Sequence, residues 1–307
     1  MPADDVEALR DFMIVRDARN LEDYLTRFDI TLSVMQTAEA LERIAYELAE
    51  DAAAEGVRYI EMRYSPVLNT RHDLSLGETV EAPLRGIERA QRDHGIVSRL
   101  IVCALRNLSP GISLELARLA VAYKGQGVVG FDLAGGERGH PAAAHAAAFA
   151  FAQEHGLACT CHAGEGAGAD SVREAVYACG AHRVGHATRL IEDPALTEYV
   201  NERRIALEIC LTSNVQTKAA QSYEVHPFRR YFDAGMNVVL NTDNRLMSGT
   251  TLTDEYVRAA THLDFTFEEL ARVALNGFES AFVSDDERAA LVARARADIA
   301  TINGKPA

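Results

Sequence analysis

Short apolar runs recur along the chain, and they predict strands at 57–64, 98–105, 128–133, 157–162, 183–186, 205–211 and 237–241. Most lack clean polar–apolar alternation, as expected of strands buried on both faces. Helical patterns fill the intervals. Leu41, Ile44, Ala45, Leu48 and Ala52 recur at helical spacing. Asp193-Pro194 places an N-cap before a proline at the first helical position. Ser171-Val172-Arg173-Glu174 and Thr266-Phe267-Glu268-Glu269 have the form of capping boxes. Pro141 and Gly156 frame an alanine-rich helix. Repeated strand–helix units over this length predict a (β/α) barrel or a doubly wound parallel sheet.

Three of these strands end on groups able to bind metal or move protons: His162-Ala163-Gly164-Glu165, Val184-Gly185-His186 and Leu240-Asn241-Thr242-Asp243. Such groups at several strand ends favour the barrel, where every strand end faces one site. A doubly wound sheet offers only a switch point. Seven strands are legible, eight close a barrel, and the chain after Asp243 reads as helix. The expected fold is therefore a (β/α)8 TIM-type barrel without its first strand.

Composition narrows the function. The 307 residues are 48% hydrophobic and 25% charged, as in a soluble globular protein, and show no linker or short repeat. They are read as a single domain, 1–307. A net charge of −14 argues against a nucleic-acid partner, which needs clustered Lys and Arg. No apolar run approaches the ~20 residues of a membrane span. Met1-Pro2-Ala3-Asp4-Asp5 is acidic and lacks a signal-peptide core, so a cytoplasmic location is expected. The five cysteines (103, 159, 161, 179 and 210) read as buried free thiols. Cys159 and Cys161 share one strand face and His162 takes the other, which opposes a thiolate metal site.

His162 is a suitable zinc ligand as a neutral imidazole. Glu165, three residues on, can reach a metal-bound water or a substrate without ligating. A core histidine beside a helix-capping acid is the plainer alternative. However, an acid has little packing use in the turn Gly164-Glu165-Gly166-Ala167-Gly168. That turn also fits a dinucleotide fingerprint, which is rejected because Glu165 would place negative charge beside a pyrophosphate. Asp243 ends an apolar strand, where burial raises a carboxyl pKa unless a cation or metal is near. With His162 it makes a pair suited to zinc. Gly185 and Ala187 flank His186 and leave room for a ligand beside its ring.

Together with Ser213-Asn214, Asp132-Leu133-Ala134-Gly135, Arg63-Tyr64-Ser65-Pro66 and Phe278-Glu279-Ser280-Ala281-Phe282, these motifs resemble the adenosine deaminase family from about residue 2 to 290. The resemblance implies a Zn2+-dependent hydrolytic deaminase acting on a small-molecule purine nucleoside, adenosine or 2'-deoxyadenosine. It implies His162 and Asp243 as metal ligands. Asp243 would also orient the attacking water and accept its proton, and His186 would stabilise the developing oxygen charge. Glu165 would be protonated and donate to N1 of the purine. Gly135 matches a glycine whose backbone approaches the purine. Leu21, Tyr24, Leu25 and Phe28 match an apolar helix covering the pocket.

Two departures stand out. Asn244 replaces a common second aspartate, and can still donate a hydrogen bond to N7. The family's first strand carries a His-x-His metal pair and an acid that reads the ribose. None of the ten histidines here forms such a pair. A misplaced start codon or a truncated record is the expected cause. For the chain as given, weak zinc binding and little turnover are expected. Adenine or another 6-aminopurine nucleoside is the alternative substrate, and a non-catalytic purine-binding protein is the alternative class.

Overall fold

Seven strands form at the predicted positions: β1 (Tyr59–Tyr64), β2 (Val97–Leu105), β3 (Val128–Ala134), β4 (Ala158–Ala163), β5 (Arg183–His186), β6 (Ala206–Ile209) and β7 (Val238–Leu240). They pair in parallel in sequence order. The computed structural model describes residues 3, 5–16, 18–302 and 304. Met1, Pro2 and Asp4 of the acidic N-terminus lie outside them. None of the described helices is long and apolar enough to cross a membrane.

The helices largely follow their sequence signals. Helix Ala38–Ala54 buries Leu41, Ala45, Ala49 and Ala52 on one face. The Asp193 side chain caps Pro194–Glu202, and Thr266 with Glu269 closes a capping box on Phe267–Glu279. Two expectations need correction. Ser171 does not cap: helix Ala169–Tyr177 starts earlier, after Gly168, and the Glu174 carboxylate instead accepts from Ala143 N (3.1 Å). The strand expected to reach residue 211 stops at Ile209, because the chain turns into helix Leu211–Gln216, where Asn214 N bonds Cys210 O (2.9 Å).

The sheet curls until non-adjacent strands meet across its inside. Arg63 on β1 lies 3.4 Å from Glu208 on β6, and Glu61 on β1 pairs with Arg183 on β5. Arg183 in turn lies 2.7 Å from Glu208. The inner face of this half-barrel thus carries a ladder of charged side chains. Buried ions of this kind are tolerated because each has opposite charges as neighbours. Apolar residues pack mainly between the sheet and the outer helices. Among the described residues, β1 and β7 end the sheet. The C-terminal region reaches β1 through Phe282 N to Glu61 Oε1 (2.7 Å) and Arg58 to Asp298 (3.3 Å).

Candidate active site

The polar strand ends converge. His162, in β4, turns Nδ1 to the Asp132 carboxylate at 3.1–3.2 Å. Asp132, in β3, is fully buried and also faces Arg63 Nε at 3.4 Å. Burial opposes its charge, but His162 and Arg63 outweigh that and hold its carboxyl well below the usual range. The Asp132 carboxylate calls for an N–H at His162 Nδ1 and turns the ring's Nε2 away from it. This carboxylate–imidazole unit is how ligating histidines are commonly oriented.

Glu165 sits in a turn built by backbone constraints. Gly164 has φ +72°, and a Cβ there would lie 2.7 Å from Val172. The buried Glu137 carboxylate accepts from three successive amides, Gly164 N (3.0 Å), Glu165 N (2.8 Å) and Gly166 N (3.2 Å). Thr217 Oγ1 donates to Glu165 Oε1 (2.9 Å). Burial, then the charges of Asp243 and Glu137, push the Glu165 carboxyl well above its ordinary value. These surroundings favour the protonated carboxyl. Glu137→Gln keeps the shape but weakens the amide cradle and removes one of the charges raising Glu165. It is expected to cost about 1–3 kcal/mol in a urea melt. It should also move the alkaline limb of any Glu165-dependent activity to lower pH.

His186 closes β5, and its Nε2 lies 3.4 Å from Glu165 Oε2. Its ring centre is 5.1 Å from that of His162. Burial, then the neighbouring His162, pulls His186 down to about 3, so it is neutral. Asp243 lies three residues past β7, and its Oδ2 accepts from Ser213 Oγ (2.8 Å). Burial would raise Asp243, but the Arg63 charge and the Ser213 bond favour the carboxylate and hold it below its ordinary value. His186, Ala187 and Asp243 all have left-handed backbone (φ +64°, +52° and +54°). Such conformations cost about 1–3 kcal/mol each and tend to cluster at functional sites. The space beside Gly185 is not left for a ligand, as a Cβ there would lie 3.2 Å from His162 Cα. The glycine instead lets β4 and β5 approach.

Three of the four residues of the covering stripe share one cluster. Tyr24 is buried and lies 3.1 Å from Ser248 Oγ, and burial, then the charge of Asp243, pushes its hydroxyl up. Leu21 reaches the glutamate turn: a Cβ on Gly166 would meet its Cδ2 at 3.2 Å. Leu25 and Phe28 pack with Tyr24 itself in a small cluster that includes Met13, Val15 and Met247. The chain breaks helix between Leu21–Leu25 and Phe28–Val34, yet Tyr24, Leu25 and Phe28 stay together, with the Tyr24 and Phe28 ring centres 6.1 Å apart. Gly135 follows β3 with φ +96°, a backbone that itself calls for glycine. Asn244 caps helix Arg245–Ser248 through Oδ1 to Met247 N (2.9 Å), which leaves its amide N–H groups free to donate.

His162 Nε2 and Asp243 offer two donors of the imidazole and carboxylate types zinc accepts. Zinc sites ordinarily use three or four protein ligands. Among the described residues no group of three or more His, Cys, Asp and Glu is placed to hold a metal. The residues present fit half of a zinc site. The five cysteines are buried and free, as expected.

The model of the family described as adenosine deaminase matches residues 1–297. The chain belongs to the adenosine deaminase family. That family is metal-dependent and its members are hydrolases. The chain is 40% identical over 313 residues to the adenosine deaminase of Mycobacterium avium, covering 95% of this chain and 85% of that one. It is 42% identical over 263 residues to a probable adenosine deaminase of Dictyostelium discoideum, covering 86% of this chain but only 34% of that protein's length. Among solved structures, adenine deaminase from Arthrobacter aurescens superposes with a TM-score of 0.89 at 27% identity, covering 96% and 89% of the two chains. A zinc-bound amidohydrolase from Burkhoderia ambifaria gives 0.82 at 28% identity, covering 88% and 75%. The half-barrel is accordingly a TIM-type fold.

Several residues that build this deaminase-family site carry no assigned role in the sequence reading: Arg63, Asp132, Glu137, Asn214, Thr217 and His226. Asp132 had a usable signal, an acid near the end of an apolar strand like Asp243. Glu137 follows two glycines after such a strand, a weaker one.

Proposed function

We propose that the chain hydrolytically deaminates a 6-aminopurine nucleoside, adenosine first, to the 6-oxo product and ammonia. One observation carries this reading: the buried Glu165, whose surroundings favour its protonated form, lies 3.4 Å from the buried His186 Nε2, and Asp243, whose surroundings favour its charged form, stands at a neighbouring strand end. Hydrolytic deamination needs these three kinds of group. Glu165 donates its proton to N1 as water adds at C6, so the ring holds the arriving electron pair. Asp243 accepts the proton of that water. His186 lies against the new oxygen and stabilises its charge. The proton held by Asp243 then passes to the amino nitrogen, the C6–N bond breaks and ammonia leaves; N1 keeps its proton, and the C6 hydroxyl gives up its own to restore Glu165, leaving the 6-oxo product. Asn244 offers N–H to N7, and Leu21 and Tyr24 exclude water above the ring.

Zinc is the metal we propose, held by His162 and Asp243 in this chain, and when bound it supplies a coordinated water of lowered pKa. Complete structural zinc sites bind with about 10–16 kcal/mol. With half the donors, an affinity weaker than about 1 µM is expected. Competition against a chromogenic chelator measures it. A nanomolar value would mean that donors beyond these two complete the site.

Adenine is the second reading, supported by the close superposition on an adenine deaminase. Parallel assays of ammonia release from adenosine and adenine by the zinc-supplied protein separate them. Ammonia from neither would reject the proposal.

A further inference from the structure

Behind His186 a line of hydrogen bonds runs away from the site. The Phe228 backbone N–H donates to His226 Nδ1 (3.1 Å). His226 Nε2 lies 3.1 Å from Asn214 Oδ1, and Asn214 Nδ2 lies 2.9 Å from His186 Nδ1. His186, Asn214 and His226 are each 2% exposed or less, so water does not substitute for any member.

The direction of this line follows from its far end. A backbone N–H can only donate, so His226 Nδ1 is an acceptor and the proton of the neutral ring is on Nε2. Burial pulls His226 down to about 3, which keeps that ring neutral. Its Nε2–H needs an acceptor, so Asn214 turns Oδ1 towards His226 and its NH2 towards His186. His186 Nδ1 must then accept, and the ring's one proton is left on Nε2, the nitrogen facing Glu165 at 3.4 Å. With the amide reversed, His186 would carry its proton on Nδ1. It would then turn a lone pair to the site, where a developing oxygen charge would be repelled.

We propose that Asn214 and His226 are positioning residues that hold His186 as its Nε2–H tautomer, so that it meets the reacting centre as a hydrogen-bond donor. The value of that donor rests on the deaminase reading, but the tautomer does not.

Long-range proton–nitrogen NMR on the full chain labelled with 15N-histidine tests this, with the His186 signals assigned by their loss in His186→Gln. The native protein should show His186 protonated at Nε2 and bare at Nδ1. In Asn214→Asp the carboxylate accepts from both sides, so a proton should appear on His186 Nδ1 while His226 keeps Nε2–H. Turnover should fall at least about tenfold, mainly in kcat, as for loss of a charge-stabilising donor. A native His186 protonated at Nδ1 overturns the proposal, as does a folded Asn214→Asp protein whose Nδ1 stays bare. If that variant does not fold, the native spectrum alone decides. Absence of deaminase activity with the native Nε2–H tautomer present would count against the function and not against this assignment.

Discussion

Glu165→Gln is expected to lower kcat for 6-aminopurine deamination by about 10²–10⁴-fold, the usual scale for a lost general acid. Gln can still bond Thr217 and still offer N–H to N1, but it has no proton to release. Substrate binding should change little. Stability should not fall, and the sign can be worked out. The folded-state pKa of Glu165 is raised, so the folded protein holds a proton that the unfolded chain releases above its own carboxylate pKa. Above that pKa the buried acid disfavours the folded state. Gln removes this penalty, so the variant should melt at the same temperature or higher at pH 7. Steady-state ammonia release and thermal unfolding check both halves. Wild-type activity should decline as pH rises through the elevated Glu165 pKa, because the donor is lost.

Arg63→Met carries the largest expected stability effect. Arg63 lies 3.4 Å from both Asp132 and Glu208, and its charge also helps to hold down Asp243. Removing one partner of a buried ion pair typically costs about 3–5 kcal/mol, because the remaining charge is uncompensated. Urea denaturation at pH 7 should show a loss of that size. Asp132 and Asp243 have depressed folded pKa values. Their contribution is present above the unfolded carboxylate pKa and fades as pH falls through the folded values. The penalty of Arg63→Met should therefore shrink on acidification. A penalty independent of pH would point to lost packing of the side chain instead.

These two residues mark what the sequence could and could not disclose. Glu165 was legible because an acid in a glycine turn has little packing use. His162, His186 and Asp243 were legible because polar groups at or just past apolar strand ends contradict burial. The strands were legible for the same reason, as apolar runs bounded by turns. Arg63 was not, since its role depends on curling β1 until it meets β6, 145 residues away. The Asp132–His162 contact spans 30 residues and the Glu137 cradle about as many. No local pattern encodes either, because parallel strands bring together residues that are separated by a helix. The stripe of Tyr24, Leu25 and Phe28 was legible from helical spacing, and the three meet in one cluster although the helix is interrupted after Leu25.

Deamination of adenosine at a free zinc concentration where metal analysis finds one zinc per chain tests the central claim most directly. The account predicts inosine and ammonia in equal amounts, at a rate that depends on zinc and is lost in Glu165→Gln. A zinc-loaded, folded protein that leaves both adenosine and adenine unchanged would contradict it.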